Sequence, residues 1–122
     1  MEKANKGVVK HLVIMKFKDG ISDDQIEQMN KEYANLLNLV PSMKTLQLGK
    51  VVEMSPGNYK HGNGGYTHIF ESTFESMEGV AEYTFHPAHL HLGHLYSHTF
   101  DKVLVFDYII PITTISPNSS TS

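Results

Sequence analysis

Val8-Val9-Lys10-His11-Leu12-Val13-Ile14-Met15-Lys16-Phe17, followed by Asp19-Gly20 and then Ser22-Asp23-Asp24-Gln25, decides the fold. The first ten residues are rich in β-branched side chains and read as a strand. Period two places His11, Val13, Met15 and Phe17 on one face and Lys10, Leu12, Ile14 and Lys16 on the other. Asp19-Gly20 ends the strand. Ser22 and Gln25 then form a capping box, and Asp23 and Asp24 complement the helix dipole. A strand leading at once into a capped helix is the opening of a mixed α/β chain.

Ile26, Met29, Tyr33, Leu36, Leu37 and Val40 make one apolar stripe, so the helix is expected to run to about Val40, where Pro41 closes it. A second strand is expected over 45–54 and a loop over 55–65, Ser-Pro-Gly-Asn-Tyr-Lys-His-Gly-Asn-Gly-Gly. A third strand spans Tyr66 to Phe74, with Tyr66, His68, Phe70, Ser72 and Phe74 on one face. Ser76 caps a short helix to Phe85. Pro87, tolerated in a first turn, restarts a helix to about Thr99. Residues 101–110 form the last strand. The order β-α-β-β-α-β predicts an α+β, ferredoxin-like fold. Helices cover one sheet face; the other is apolar and calls for a second copy packed sheet to sheet, a homodimer. Residues 1–7 are expected to be flexible, 8–110 to form the domain, and 111–122, rich in Ser, Thr and Pro, to be disordered.

The chain has 122 residues, enough for one domain with a single core. A formal net charge of -3 with scattered lysines argues against a nucleic-acid partner. Without cysteine there is neither a disulfide framework nor thiolate chemistry. Met1–Gly7 has no apolar stretch, and no apolar run reaches the roughly 18 residues of a membrane span. A cytoplasmic location with no membrane association is the expectation.

Five of the eight histidines fall between His86 and His98, and helical phase sorts them. At about 100° per residue, His91, His94 and His98 share one face of the helix begun at Pro87. A solvated polar face explains them better than a metal site, since no acidic residue joins them. His89 lies on the apolar side with Leu92, Tyr96 and Phe100. It is either a satisfied core histidine or a reactive one. His11 and His68 also sit at inward positions, and Tyr83 precedes His89 across the break at Pro87. Three imidazoles at inward positions, each needing hydrogen-bond partners, favour a polar-studded cavity over a plain core. Asp107, beside Val103 and Val105 on its strand face, either orients one of those rings or is an exposed edge carboxylate.

Val9-Lys10-His11-Leu12, Phe17-Lys18-Asp19, Pro41-Ser42-Met43-Lys44, Gly65-Tyr66-Thr67-His68-Ile69-Phe70-Glu71-Ser72-Thr73-Phe74-Glu75-Ser76, His86-Pro87-Ala88-His89 and Phe106-Asp107-Tyr108 resemble the plant stress-responsive dimeric α/β-barrel (Dabb) family. The resemblance covers residues 8–110 and extends to the family's polyketide cyclases and to its stress-induced and antifungal members. It implies a dimeric α/β barrel. Carried over from the cyclases, it makes Tyr83 and His89 the catalytic pair. His11, His68, Val13, Met15, Met29, Tyr33 and Phe70 become substrate-binding residues, with Asp107 behind them, and Tyr96 joins them by its helical phase beside His89. No metal or cofactor is implied. The implied substrate is a linear poly-β-ketone thioester supplied by a type III polyketide synthase. The alternative is a non-catalytic stress-response or antifungal barrel. Departures at His91, at Met29 or Asn30, and at Phe70, together with a longer 55–65 loop, imply a reshaped pocket.

Overall fold

The computed structural model describes residues 7–52 and 64–111. Most of the expected 55–65 loop, strand positions 53 and 54, residues 1–6 and residues 112–122 lie outside these. The elements are β1 (Gly7–Phe17), α1 (Asp23–Ala34), α2 (Leu36–Leu39), β2 (Thr45–Lys50), β3 (His68–Phe74), α3 (Met77–Phe85), α4 (Pro87–Tyr96), a 3₁₀ turn (Ser97–Thr99) and β4 (Phe100–Pro111). The strands form one antiparallel sheet in the order β2-β3-β1-β4. This is the ferredoxin-like α+β fold expected from the sequence.

Local hydrogen bonds set the helix starts. The Ser22 side chain accepts the Gln25 N–H at 3.1 Å, and the Gln25 side chain accepts the Ser22 N–H at 2.8 Å, closing the capping box. Ser76 caps α3 by accepting from Gly79 N–H at 3.2 Å. Four boundaries differ from expectation. The first helix breaks at Asn35, whose side chain accepts from Asn38 Nδ2 at 2.9 Å in a local bond that competes with the helical ladder. Beyond that break the stripe is re-phased, and Leu37 is exposed while Leu36 and Val40 stay buried. β2 stops at Lys50. β3 starts at His68, because Thr67 N–H bonds the Met15 carbonyl and Tyr66 lies under the Lys102 ammonium, 4.6 Å from the ring centroid. The last helix gives way to the 3₁₀ turn after Tyr96, and β4 therefore begins at Phe100.

Odd residues of β1 face the helices: Val9, His11, Met15 and Phe17 are buried. They join Met29, Tyr33, Leu36, Phe70, Phe74, Val80, Tyr83 and Leu92 in one core. β4 differs from the other strands. It is an edge strand, and every residue after Phe100 is exposed, whichever face it points to. Its register with β1 puts Val103, Val105 and Asp107 beside Met15, Val13 and His11 on the helical side. Leu104, Phe106 and Tyr108 pair with Ile14, Leu12 and Lys10 on the open side. No helix among the described residues is long and apolar enough to cross a membrane.

Phe74 is fully buried, with its ring 5.5 Å from that of Tyr83 and 6.3 Å from that of His11. Phe74→Ala is expected to cost about 3–5 kcal/mol in urea unfolding, the usual range for deleting a buried aromatic. A loss below about 1 kcal/mol would show that this core collapses around the void.

Candidate active site

The candidate site lies where the sheet meets the α3–α4 junction. α3 ends at Phe85, and Pro87 has no N–H with which to continue it. The chain turns at His86, in an extended conformation (φ -64°, ψ 136°), and α4 begins. This bend brings the last turn of α3 against the first turn of α4. The Tyr83 and His89 rings end up 4.2 Å apart between centroids, tilted by 38°. His11 reaches them from β1, its ring edge-on to Tyr83 at 5.6 Å.

Hydrogen bonds fix the histidines. His89 Nδ1 lies 3.0 Å from the Thr84 carbonyl oxygen. A carbonyl only accepts, so the ring proton is on Nδ1 and Nε2 keeps its lone pair. His11 Nδ1 lies 2.6 Å from Asp107 Oδ1, across a pair of strands that place the two residues directly opposite. The carboxylate accepts that bond and sets the His11 tautomer in the same sense. Asp107 therefore orients an imidazole, one of the two possibilities open from sequence.

Burial sets the protonation states. It lowers the His89 pKa from its ordinary 6.5; the Thr84 bond opposes this in part, and the neighbouring His11 and His86 add smaller lowering effects. His89 is thus neutral and basic near pH 7. Burial raises the Tyr83 phenol well above its ordinary 10, with Tyr33 adding to the effect, so Tyr83 stays a proton donor. Tyr33 is itself pushed up to about 12, mainly by burial.

These groups border a cavity of about 400 Å³. Its polar end holds His11, Tyr83, Thr84, His89 and Asp107; Val13, Met15, Tyr33, Phe70, Phe100, Val103 and Val105 form the apolar remainder. Eight of the eleven residues singled out from sequence thus share one cavity wall, and three lie elsewhere. His68 packs edge-on against Phe17 at 5.0 Å and pairs with Thr67 Oγ1 at 2.7 Å. Met29 is in the core, and both it and Tyr96 border a second cavity of about 310 Å³ between α1 and the end of α4. Tyr33 faces Tyr96 at 6.3 Å and stands between the two spaces. Phe100, Val103 and Val105 were legible as faces of their elements. The Thr84 carbonyl was not, because it is freed only where the helix breaks and the Ala88 N–H bonds His86 Nδ1 instead. His91, His94 and His98 are exposed, and among the described residues no three His, Asp or Glu side chains converge as metal ligands.

Residues 9–110 match the Stress responsive A/B Barrel Domain (Dabb) family. The chain belongs to this family. It is 51% identical over 108 residues to the stress-response A/B barrel domain-containing protein HS1 of Arabidopsis thaliana, covering 88% of this chain and 94% of that protein. It is 46% identical over 100 residues to olivetolic acid cyclase of Cannabis sativa, covering 82% and 94% respectively. Among solved structures, hydroxynitrile lyase from Passiflora edulis superposes with a TM-score of 0.76 at 30% identity, covering 90% of this Dabb chain and 99% of that one. The relatives thus include one named as a cyclase and one named for a stress response, and a structural neighbour is named as a lyase.

His89 and His68 both have lowered pKa values, each chiefly by burial. The unfolded chain then binds more protons than the folded one between the folded values and 6.5. Stability is expected to hold above that point and to fall as pH drops through it. Urea midpoints measured from about pH 8 to about pH 5 should show this decline, and His89→Gln should flatten it. An unchanged pH slope in the variant would remove His89 from the account.

Proposed function

We propose that this Dabb protein is a cofactor-independent polyketide cyclase. The observation that carries the proposal is His89 on the wall of an apolar cavity, with its proton fixed on Nδ1 and Tyr83 stacked beside it. A poly-β-ketone has acidic methylenes flanked by carbonyls. His89 Nε2 removes one such proton, and the resulting enolate carbon attacks a distant carbonyl carbon of the same chain. The carbonyl π pair moves to oxygen, where the Tyr83 hydroxyl donates a hydrogen bond and its proton. Loss of water and enolisation give the aromatic ring. Hydrolysis of the thioester releases a thiol and leaves a resorcinol-type carboxylic acid. The olivetolic acid cyclase relative supports this substrate class. The hydroxynitrile lyase neighbour supports an enzymatic role for this fold.

His11, its proton held on Nδ1 by Asp107, presents an Nε2 lone pair that accepts from an enol or carboxylic-acid hydroxyl of the substrate. Val13, Met15, Tyr33 and Phe70 fold the apolar end of the chain into a reactive conformer. His68, Met29 and Tyr96 do not border this cavity and make no substrate contact there. The working assembly is a homodimer in the cytoplasm, with a second copy covering the exposed strip of Leu104, Phe106, Tyr108 and Ile110. Dimeric ferredoxin-like proteins among the structural neighbours share this fold. A type III polyketide synthase supplies the substrate.

A second reading is supported by the 51% identity to the stress-response protein HS1: a barrel that acts in stress or defence without catalysis. The two are separated by incubating the protein with a type III synthase and acyl-CoA starters. Cyclase activity yields carboxylated resorcinol acids. His89→Ala is expected to reduce them by about 10²–10⁴, the range a general base contributes. Tyr83→Phe should reduce them by about 10²–10³, as for loss of one oxyanion donor. Identical pyrone and decarboxylated products with and without the protein would favour the stress reading.

The dimer has its own test. Phe106 is 50% exposed on the open face of the edge strand β4, and Phe106→Glu is expected to halve the mass seen by sedimentation velocity. A wild-type chain that sediments as a monomer would dismiss the sheet-to-sheet assembly.

A further inference from the structure

Hydrogen bonds at the α3–α4 junction single out a histidine that does not border the cavity. In an unbroken helix the carbonyls of Tyr83 and Thr84 would accept the N–H groups of residues 87 and 88. Residue 87 is proline, and the Tyr83 carbonyl takes the His86 N–H instead, at 3.2 Å. The Ala88 N–H is the natural partner of Thr84, but His86 Nδ1 holds it at 3.0 Å. The Thr84 carbonyl is therefore left to the His89 ring, also at 3.0 Å. The His86 carbonyl meanwhile accepts the Leu90 N–H at 2.9 Å and starts the ladder of α4.

We propose that His86 is a positioning residue: by capping Ala88 it reserves the Thr84 carbonyl for His89, so that the His89 proton stays on Nδ1 and Nε2 is kept for the substrate. This rests on His89 being the base. The choice of side chain fits the role. Asp and Ser are commoner caps. An aspartate here would put a carboxylate close to His89 and favour the charged ring, disabling the base. A neutral imidazole accepts the same N–H without that charge.

Without the cap, the Ala88 N–H competes for Thr84, and His89 is free to rotate or to carry its proton on Nε2. Nitrogen-15 correlation spectra of labelled imidazoles read the tautomer directly. The wild-type protein is expected to show a single Nδ1–H form at His89. His86→Ala should show a mixture, and His86→Asn, whose amide oxygen can cap, should restore the single form. In the cyclisation assay, His86→Ala should lower kcat roughly 10- to 100-fold with KM little changed, the scale of a misplaced group, and His86→Asn should recover it. Should His86→Ala fail to fold, His86→Gln displaces the acceptor and is read in the same way. An unaltered His89 tautomer in the uncapped variant overturns the proposal, even if stability falls. Because the spectra need no substrate, they decide the positioning role even where the protein proves to have no cyclase activity.

Discussion

The missing N–H of Pro87 is the constraint on which the site depends. A helix running on from α3 would carry Tyr83 and His89 six positions apart, about 120° apart around its axis and about 9 Å along it. They could not meet. The proline ends the ladder, the chain bends at His86, and the two rings come within 4.2 Å. The same break exposes a carbonyl that a continuous helix would have consumed. The missing donor thus supplies the contact between the two side chains, and the His86 cap on Ala88 leaves the Thr84 carbonyl to set the tautomer of one of them.

The sheet supplies the opposite wall, and here the constraint is register. His11 and Asp107 are directly opposed in the β1–β4 ladder, so a slip by one residue would send the carboxylate to the other face. That register also decides what else borders the cavity, since Val13 and Met15 bring Val105 and Val103 with them. The uncovered helical side of β4 leaves space above these valines. An edge strand this long and apolar on its far face is a pairing hazard unless something covers it.

Much of this was legible in the sequence. Alternation identified the inward face of β1, and the Ser22–Gln25 and Ser76 caps located two helix starts. The proline located the bend. Helical phase separated His89 from its exposed neighbours. Illegible were features that depend on competition among local bonds. The break at Asn35 arises from a side chain that prefers its own local partner, which no apolar stripe reveals. The position of His68 depends on Thr67 and Phe17, which draw its ring away from the cavity although its strand phase is inward. Tyr96 has the helical phase of His89, yet Tyr33 stands between it and the cavity. Phase gives a direction, and what lies in that direction depends on the neighbours.

The two imidazoles at the cavity are differently equipped, and the difference follows from their acceptors. His11 is bonded to a carboxylate, which fixes its proton on Nδ1. His89 is bonded to a neutral carbonyl in a desolvated setting, and its neutral form is favoured. A group that must accept a proton, pass it on and recover needs to begin neutral at working pH, and His89 meets that requirement near pH 7. Tyr83 meets the reciprocal one, because burial keeps its hydroxyl protonated. Burial therefore pushes both partners away from charge, which leaves a base and a donor in contact without either neutralising the other. A carboxylate in place of the Thr84 carbonyl would strengthen the bond to His89 but favour its charged ring. The helix break thus provides an acceptor strong enough to orient the ring and too weak to hold it protonated.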